Sequence, residues 1–139
     1  MAEGFHLTVL TPEKAVLEME AWSIVAPGSA GYLGVLRNHA PLITTLVPGK
    51  LTVKDLQQKP QVFAIGGGFL EVSRNHVTIL ADTLENPDEI DLADAMESKD
   101  YAEKRLKAAE NPAEREEYQA LLDRSLNRIR VKRDPSPSV

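Results

Sequence analysis

Apolar and polar positions alternate two by two along the first part of the chain. Phe5, Leu7 and Val9 alternate with His6, Thr8 and Leu10. Trp22-Ser23-Ile24-Val25-Ala26, Leu51-Thr52-Val53, Val62-Phe63-Ala64-Ile65, Phe69-Leu70-Glu71-Val72 and Val77-Thr78-Ile79-Leu80 carry the same β-branched, period-two habit. These segments predict short strands. Turn signals separate them at Pro27-Gly28, Asn38-His39, Pro48-Gly49, residues 57–60 and Gly66 to Gly68. Ser73-Arg74-Asn75-His76 predicts a hairpin connection, with Asn75 at positive φ. No helical crossover fits between strands, so a sandwich or barrel is expected rather than a parallel sheet.

The period changes near Glu85-Asn86-Pro87. Residues 91–109 are helix formers without Gly or Pro, with Asp91 as N-cap and Asp94 in the first turn. Their apolar stripe is thin: Leu92, Ala95, Met96, Ala102, Leu106 and Ala109. A second helix opens at Asn111-Pro112, with Glu114 completing a capping box. Tyr118, Leu121, Leu122, Leu126 and Ile129 then recur at helical spacing. The expected architecture is α+β: a β-domain over 1–86, an antiparallel helical hairpin over 87–133, and a disordered tail over 134–139. Two helices with so little apolar surface are marginal alone, so the hairpin is expected to dock on something or to switch between arrangements.

Charge sharpens that division. The chain of 139 residues carries net −5. Residues 1–86 hold 6 Lys/Arg against 8 Asp/Glu, residues 87–123 hold 5 against 12, and residues 124–134 hold 5 against 1. An acidic then basic appendage sits on a nearly neutral domain. The overall sign argues against nucleic-acid binding. No apolar run nears the ~20 residues that span a bilayer, and the N-terminus does not read as a secretory signal, so membrane association is expected only through a partner. Absence of cysteine excludes disulfides, thiolate metal sites and cysteine nucleophiles.

Candidate chemistry is sparse. His39 lacks partners at metal spacing and is expected to fix a turn, while His6 and His76 read as ordinary strand residues. The triple glycine lacks the Lys-Ser/Thr of a phosphate loop and precedes a strand, so backbone bending or close approach is expected there. No Ser/His/Asp set or paired carboxylates stand out, which counts against a small hydrolase. Gly31-Tyr32-Leu33-Gly34 fits either an inward-packed corner or a partner surface. The run Arg124, Arg128, Arg130, Lys132, Arg133 fits either a helix-dipole role or an acidic partner.

Four pieces appear in a telling order: Leu10-Thr11-Pro12, then Gly31-Tyr32-Leu33-Gly34-Val35-Leu36-Arg37-Asn38-His39-Ala40-Pro41-Leu42, then Gly67-Gly68-Phe69-Leu70-Glu71-Val72, then Val77-Thr78-Ile79-Leu80-Ala81-Asp82. With the capped hairpin behind them, they resemble the epsilon-subunit family of F-type ATP synthases over residues 5–130. The resemblance implies a flattened ten-stranded β-sandwich followed by two C-terminal helices. It implies a non-catalytic rotor subunit, with no cofactor or metal, that couples the gamma subunit to the c-ring. Its hairpin would extend into the alpha/beta catalytic head and inhibit ATP hydrolysis. Gly31, Tyr32, Leu33, Arg37, Asn38 and His39 would face gamma and the ring, and Arg124, Arg128 and Arg130 an acidic loop of the beta subunit. Some bacterial relatives hold ATP between the helices. The corresponding positions here are Glu85, Ile90, Asp91, Ala95, Arg124 and Arg128, but Asp94 and Tyr101 stand where arginines would be, so ATP is expected to bind weakly or not at all. The implied location is the cytoplasmic face of the bacterial inner membrane, or the stromal face of the thylakoid. The rival expectation is a free-standing β-sandwich interaction module whose helices dimerise.

Overall fold

The computed structural model describes residues 3–138. Seven strands come first: β1 (Phe5–Leu10), β2 (Ala15–Gly28), β3 (Gly31–Leu36), β4 (Leu42–Asp55), β5 (Pro60–Ser73), β6 (His76–Ala81) and β7 (Leu84–Glu85). A short 3-10 turn (Pro87–Glu89) leads to α1 (Leu92–Lys107) and α2 (Pro112–Arg133). Three of the strands are long because they bend and serve both layers. The first half of β2 pairs with β1, and its second half lies between β3 and β4. In β4 and β5, residues 42–46 pair with 68–72, and residues 48–54 pair with 60–66. Halving the three bent strands turns seven into ten segments, five per sheet. One sheet runs β3, late β2, late β4, early β5, β7. The other runs early β2, β1, β6, late β5, early β4. The implied ten-stranded sandwich is therefore built from seven continuous strands. All pairs are antiparallel except β1 with β6.

Two of the expected turns prove to be these bends. Pro48-Gly49 lies inside β4 and Gly66 to Gly68 inside β5. Gly67 has φ +102 and Gly68 φ +142, a region that L side chains avoid. A Cβ on Gly68 would collide with the Leu80 carbonyl oxygen on the neighbouring strand. The bend also reverses the alternation. Phe63 and Ile65 point into the core before it, Leu70 and Val72 after it, and Phe69 is turned outward. The β5–β6 hairpin has both Arg74 (φ 51) and Asn75 (φ 59) left-handed, as a two-residue primed turn requires.

The core lies between the sheets. Phe5, Leu7, Ile24, Leu51, Ile65, Leu70 and Ile79 are almost wholly removed from water. α2 lies across the outer face of the first sheet, over β4 and β5, and α1 packs on α2. Early β5 is consequently buried on both faces, with Val62 and Ala64 under Ile90 and Val131. Both caps form as expected: Asp91 accepts from the Asp94 amide at 3.1 Å, and Asn111 from the Glu114 amide at 2.9 Å. Glu114 closes its box one residue early, on the Glu110 amide at 3.1 Å.

The tail departs from expectation. Residues 134–138 form no helix or strand, yet they lie against β4. Lys50 Nζ donates to the Asp134 carbonyl at 2.9 Å and to the Ser136 carbonyl at 2.6 Å, and the Ser138 amide donates to Thr52 Oγ1 at 3.0 Å. Val139 lies outside the described residues.

Candidate interaction surfaces

The junction between hairpin and sandwich mixes polar and apolar contacts. The α2 side chains that it buries are Ser125, Asn127, Ile129 and Val131. Leu126, expected in the apolar stripe, is instead more than a third exposed. The reason is geometric: α2 packs on α1 as well as on β4 and β5, and near its C-terminal end Asn127 faces strand backbone, which turns Leu126 away. Asn127 suits that backbone. Its Nδ2 donates to the Gly49 carbonyl at 2.8 Å and the Ile65 carbonyl at 3.2 Å, clipping the helix to the bends of two adjacent strands. Ser125 donates to the Leu121 carbonyl within its own helix at 2.8 Å.

Arg128 ties three elements together. Its Nε donates to Glu85 Oε1 at 2.6 Å and its NH2 to Glu85 Oε2 at 3.1 Å, a two-pronged fork onto β7. Its NH1 donates to Asp94 Oδ2 on α1 at 3.0 Å. The Glu85 hydrogen bonds, with a smaller contribution from Asp94, raise the guanidinium pKa further above its ordinary value. Such planar, two-pronged pairs combine charge with directional hydrogen bonds. Lys132 Nζ donates to the Pro87 carbonyl at 3.0 Å. Of the basic run, then, Arg128 and Lys132 are engaged inside the chain. Arg130 and Arg133 face solvent.

A cleft of about 440 Å³ opens beside this junction, lined by Glu13, Lys14, Asp82, Glu85, Arg124 and Arg128 among others. The positions matched to nucleotide-holding relatives converge only in part. Glu85, Arg124 and Arg128 border the cleft, whereas Ile90 and Ala95 are buried and the Asp91 carboxylate caps α1. Arg128 already meets two carboxylates. Tyr101 packs edge-on against Tyr118 at 6.1 Å, with Arg105 over the Tyr118 ring at 5.0 Å. Among the described residues no three His, Asp or Glu side chains gather as a metal site would need.

The β3 residues separate into two groups. Tyr32 sits near the start of the strand and is 56% exposed as a residue, and its hydroxyl accepts from the Lys50 amide at 2.9 Å. Leu33 packs on the core, so this segment is both a packed corner and an exposed aromatic. Arg37, Asn38 and His39 lie past the other end of the strand, ~15–20 Å away at ~3.3 Å per residue. Asn38 (φ 58) donates its amide to Asn75 Oδ1 at 2.7 Å, and His39 Nδ1 sits 2.7 Å from the Ala40 carbonyl. The imidazole thus fixes its own turn, and the six candidates do not form one patch.

Sequence reasoning missed a third surface. On the open face of the second sheet, Ile43 is 73%, Phe69 55% and Leu80 50% exposed, with Phe69 directly opposite Leu80. A signal was present: Phe69 shares parity with Glu71, so burying Leu70 and Val72 must turn Phe69 out. Beside these residues a titratable row crosses three strands. His6 lies between Glu20 and His76 in register, 3.0 Å from Glu18 and 3.4 Å from Glu20. No described helix is long and apolar enough to cross a membrane.

Comparison with known proteins agrees with this architecture. Residues 4–87 match the family model for the ATP synthase delta/epsilon chain β-sandwich domain, and residues 88–133 match that for its long α-helix domain. An ATP synthase epsilon chain of Moorella thermoacetica is 42% identical over 92% of this chain and 96% of that one. One from Desulfitobacterium hafniense strain Y51 is 43% identical over 96% and 100%. A chain in the Euglena gracilis mitochondrial ATP synthase OSCP/F1/c-ring structure superposes with TM-score 0.78 at 23% identity, covering 90% of this chain and 79% of its own. A chain in the Tetrahymena thermophila central stalk/c-ring structure gives TM-score 0.70 at 18% identity, over 91% and 95%. Matched from residue 4 to residue 133, the chain belongs to the ATP synthase delta/epsilon chain family.

Proposed function

We propose that the chain is a non-catalytic rotor subunit of an F-type proton-translocating ATP synthase, coupling gamma to the c-ring and restraining ATP hydrolysis through its hairpin. The observation that carries this is the contrast at the junction. The sandwich core is composed of residues from the strands alone, while the hairpin adheres through hydrogen bonds, one ion-pair cluster and a four-residue apolar contact. A hairpin so held can leave without opening the body it rests on. The open face with Ile43, Phe69 and Leu80 has the exposed apolar area that a stalk partner would cover. Tyr32, with a fixed hydroxyl and free ring, suits an anchor at the ring side. On extension, Arg128 leaves Glu85 and Asp94 and joins Arg124, one turn away on the same helix face, with Arg130 on another face of α2, as cations for acidic loops of the catalytic head. ATP is not needed to hold the hairpin down, because Asp94 and Glu85 already neutralise Arg128; sub-millimolar ATP affinity by calorimetry would overturn that clause. The complex would place the chain at the cytoplasmic face of a bacterial membrane, in keeping with its bacterial relatives.

The test is removal of residues 88–139. Co-purification with gamma should persist, and ATPase activity of the reconstituted head should rise severalfold. Loss of gamma binding would refute the division of labour, and unchanged hydrolysis would leave only the coupling role.

A further inference from the structure

We propose that residues 134–138 act as a strap that holds the hairpin down on β4, so that release of this segment precedes release of α2. The inference rests on the hairpin being the mobile part and names what governs its mobility. Both backbone donors of the strap beyond Asp134 are used. In Pro135-Ser136-Pro137-Ser138 the prolines have no amide hydrogen, which leaves two backbone donors. The Ser136 amide donates to Asp134 Oδ1 at 3.3 Å, and the Ser138 amide to Thr52 Oγ1 at 3.0 Å. The acceptors are used as well: the carbonyls of Asp134 and Ser136 converge on one ammonium, Lys50 Nζ, at 2.9 and 2.6 Å. Prolines at alternate positions restrict the free chain, so less entropy is lost when it lies down. Ser136 Oγ donates to Asp134 Oδ1 at 2.5 Å, and that hydrogen bond is the main reason the Asp134 carboxyl is held below its usual range.

The receiving positions are specific. Lys50 and Thr52 sit on the strand stretch that α2 also covers, and Thr52 is only 1% exposed although it lies between the inward-pointing Leu51 and Val53. The strap starts directly at the C-terminus of α2, where the Asp134 amide donates to the Arg130 carbonyl at 2.9 Å. A cation held at a helix C-terminus is favoured by the helix dipole, and Lys50 supplies it from the sandwich side. One lysine therefore joins β4 to the end of the helix and to the segment beyond it.

Hydrogen exchange of the full chain, read by mass spectrometry over 112–133 and over 60–81, tests the idea. Lys50→Met keeps the aliphatic stem and removes the ammonium, and a chain ending at Arg133 removes the strap. Each should speed exchange in α2 about tenfold, leaving β5 and β6 unchanged. Combining the two should add little, because both remove one interaction. Thr52→Val should act more weakly in the same direction, and Thr52→Ser should restore the parent rate. The strap is refuted if the shortened chain exchanges within twofold of the parent, or if Lys50→Met retains its full effect when the strap is absent. Faster exchange in α2 with unchanged ATPase inhibition in the reconstituted complex would support the strap and remove the inhibitory role of the hairpin.

Discussion

Inside the sandwich, Ile24, Leu51, Ile65, Leu70 and Ile79 touch no water and pack across the gap between two sheets. Where α2 meets the outer face of one of those sheets, Ser125 and Asn127 are buried beside Ile129 and Val131. The first contact is non-directional and accumulates with area. The second depends on hydrogen bonds to particular carbonyls and on one guanidinium shared by two carboxylates. A non-directional core lost in part is lost everywhere, because all strands share it. A directional contact can break as a unit, its carbonyls and charges passing to water at little net penalty. The two regions thus differ in how they fail, and the largest test of that difference is in the core. Ile65→Ala should lower the stability of the sandwich by about 2–5 kcal/mol, with the hairpin signal lost no later than the sandwich signal in urea denaturation. A hairpin signal that outlasts the sandwich would break the comparison.

Asn127→Ala should behave differently. It leaves the Gly49 and Ile65 carbonyls without their side-chain donor, at about 1–3 kcal/mol where they stay buried. The loss should appear as faster exchange in α2, with the urea midpoint of the sandwich nearly unmoved. Equal acceleration in β5 and β6 would show that the hairpin is part of the body.

How far the sequence reveals each region follows the same division. Strand cores declare themselves, since Phe5, Leu7 and Val9 keep period two without interruption. The caps at Asp91 and Asn111 are local and equally visible. What stays hidden is set by the bends. Pro48-Gly49 and Gly66 to Gly68 have turn composition, yet the chain continues through both, and whether such a signal ends a strand depends on the partner strand. The parity reversal at Gly67 and Gly68 is what sets Phe69 against Phe63 and Ile65, and only a window spanning the bend contains that reversal, although the parity of Phe69 with Glu71 was legible locally. The docking face of α2 is hidden for another reason: Asn127 is buried because two backbone carbonyls, 62 and 78 positions earlier, converge on it. The strap was missed likewise, since Pro-Ser-Pro-Ser looks disordered until Lys50 is seen to face it. The partner candidates at Gly31 to His39 were adjacent in sequence, but a strand set Tyr32 and Arg37 apart.

The smallest effect concerns the open face and sharpens the comparison from the sandwich side. His6 is paired with Glu18 at 3.0 Å and Glu20 at 3.4 Å, with His76 edge-on at 4.7 Å. The Glu18 hydrogen bond is the main cause that raises the His6 pKa above 6.5, partly opposed by desolvation. A raised folded-state pKa means that the imidazolium is bound more tightly in the folded chain. Its stabilising contribution is therefore complete below pH 6.5 and is lost as pH rises through the folded value. The pair is solvent-exposed, so the change should be slight and should shrink with added salt. In an NMR titration His6 should titrate above 6.5, and Glu18→Gln should move it back toward that value. Because His6 lies on β1, far along the chain from α2 and on the opposite sheet, this titration should leave exchange in the hairpin untouched. A hairpin that loosened in step with His6 would show that the two layers communicate through the core, and the independence argued from their chemistry would be lost.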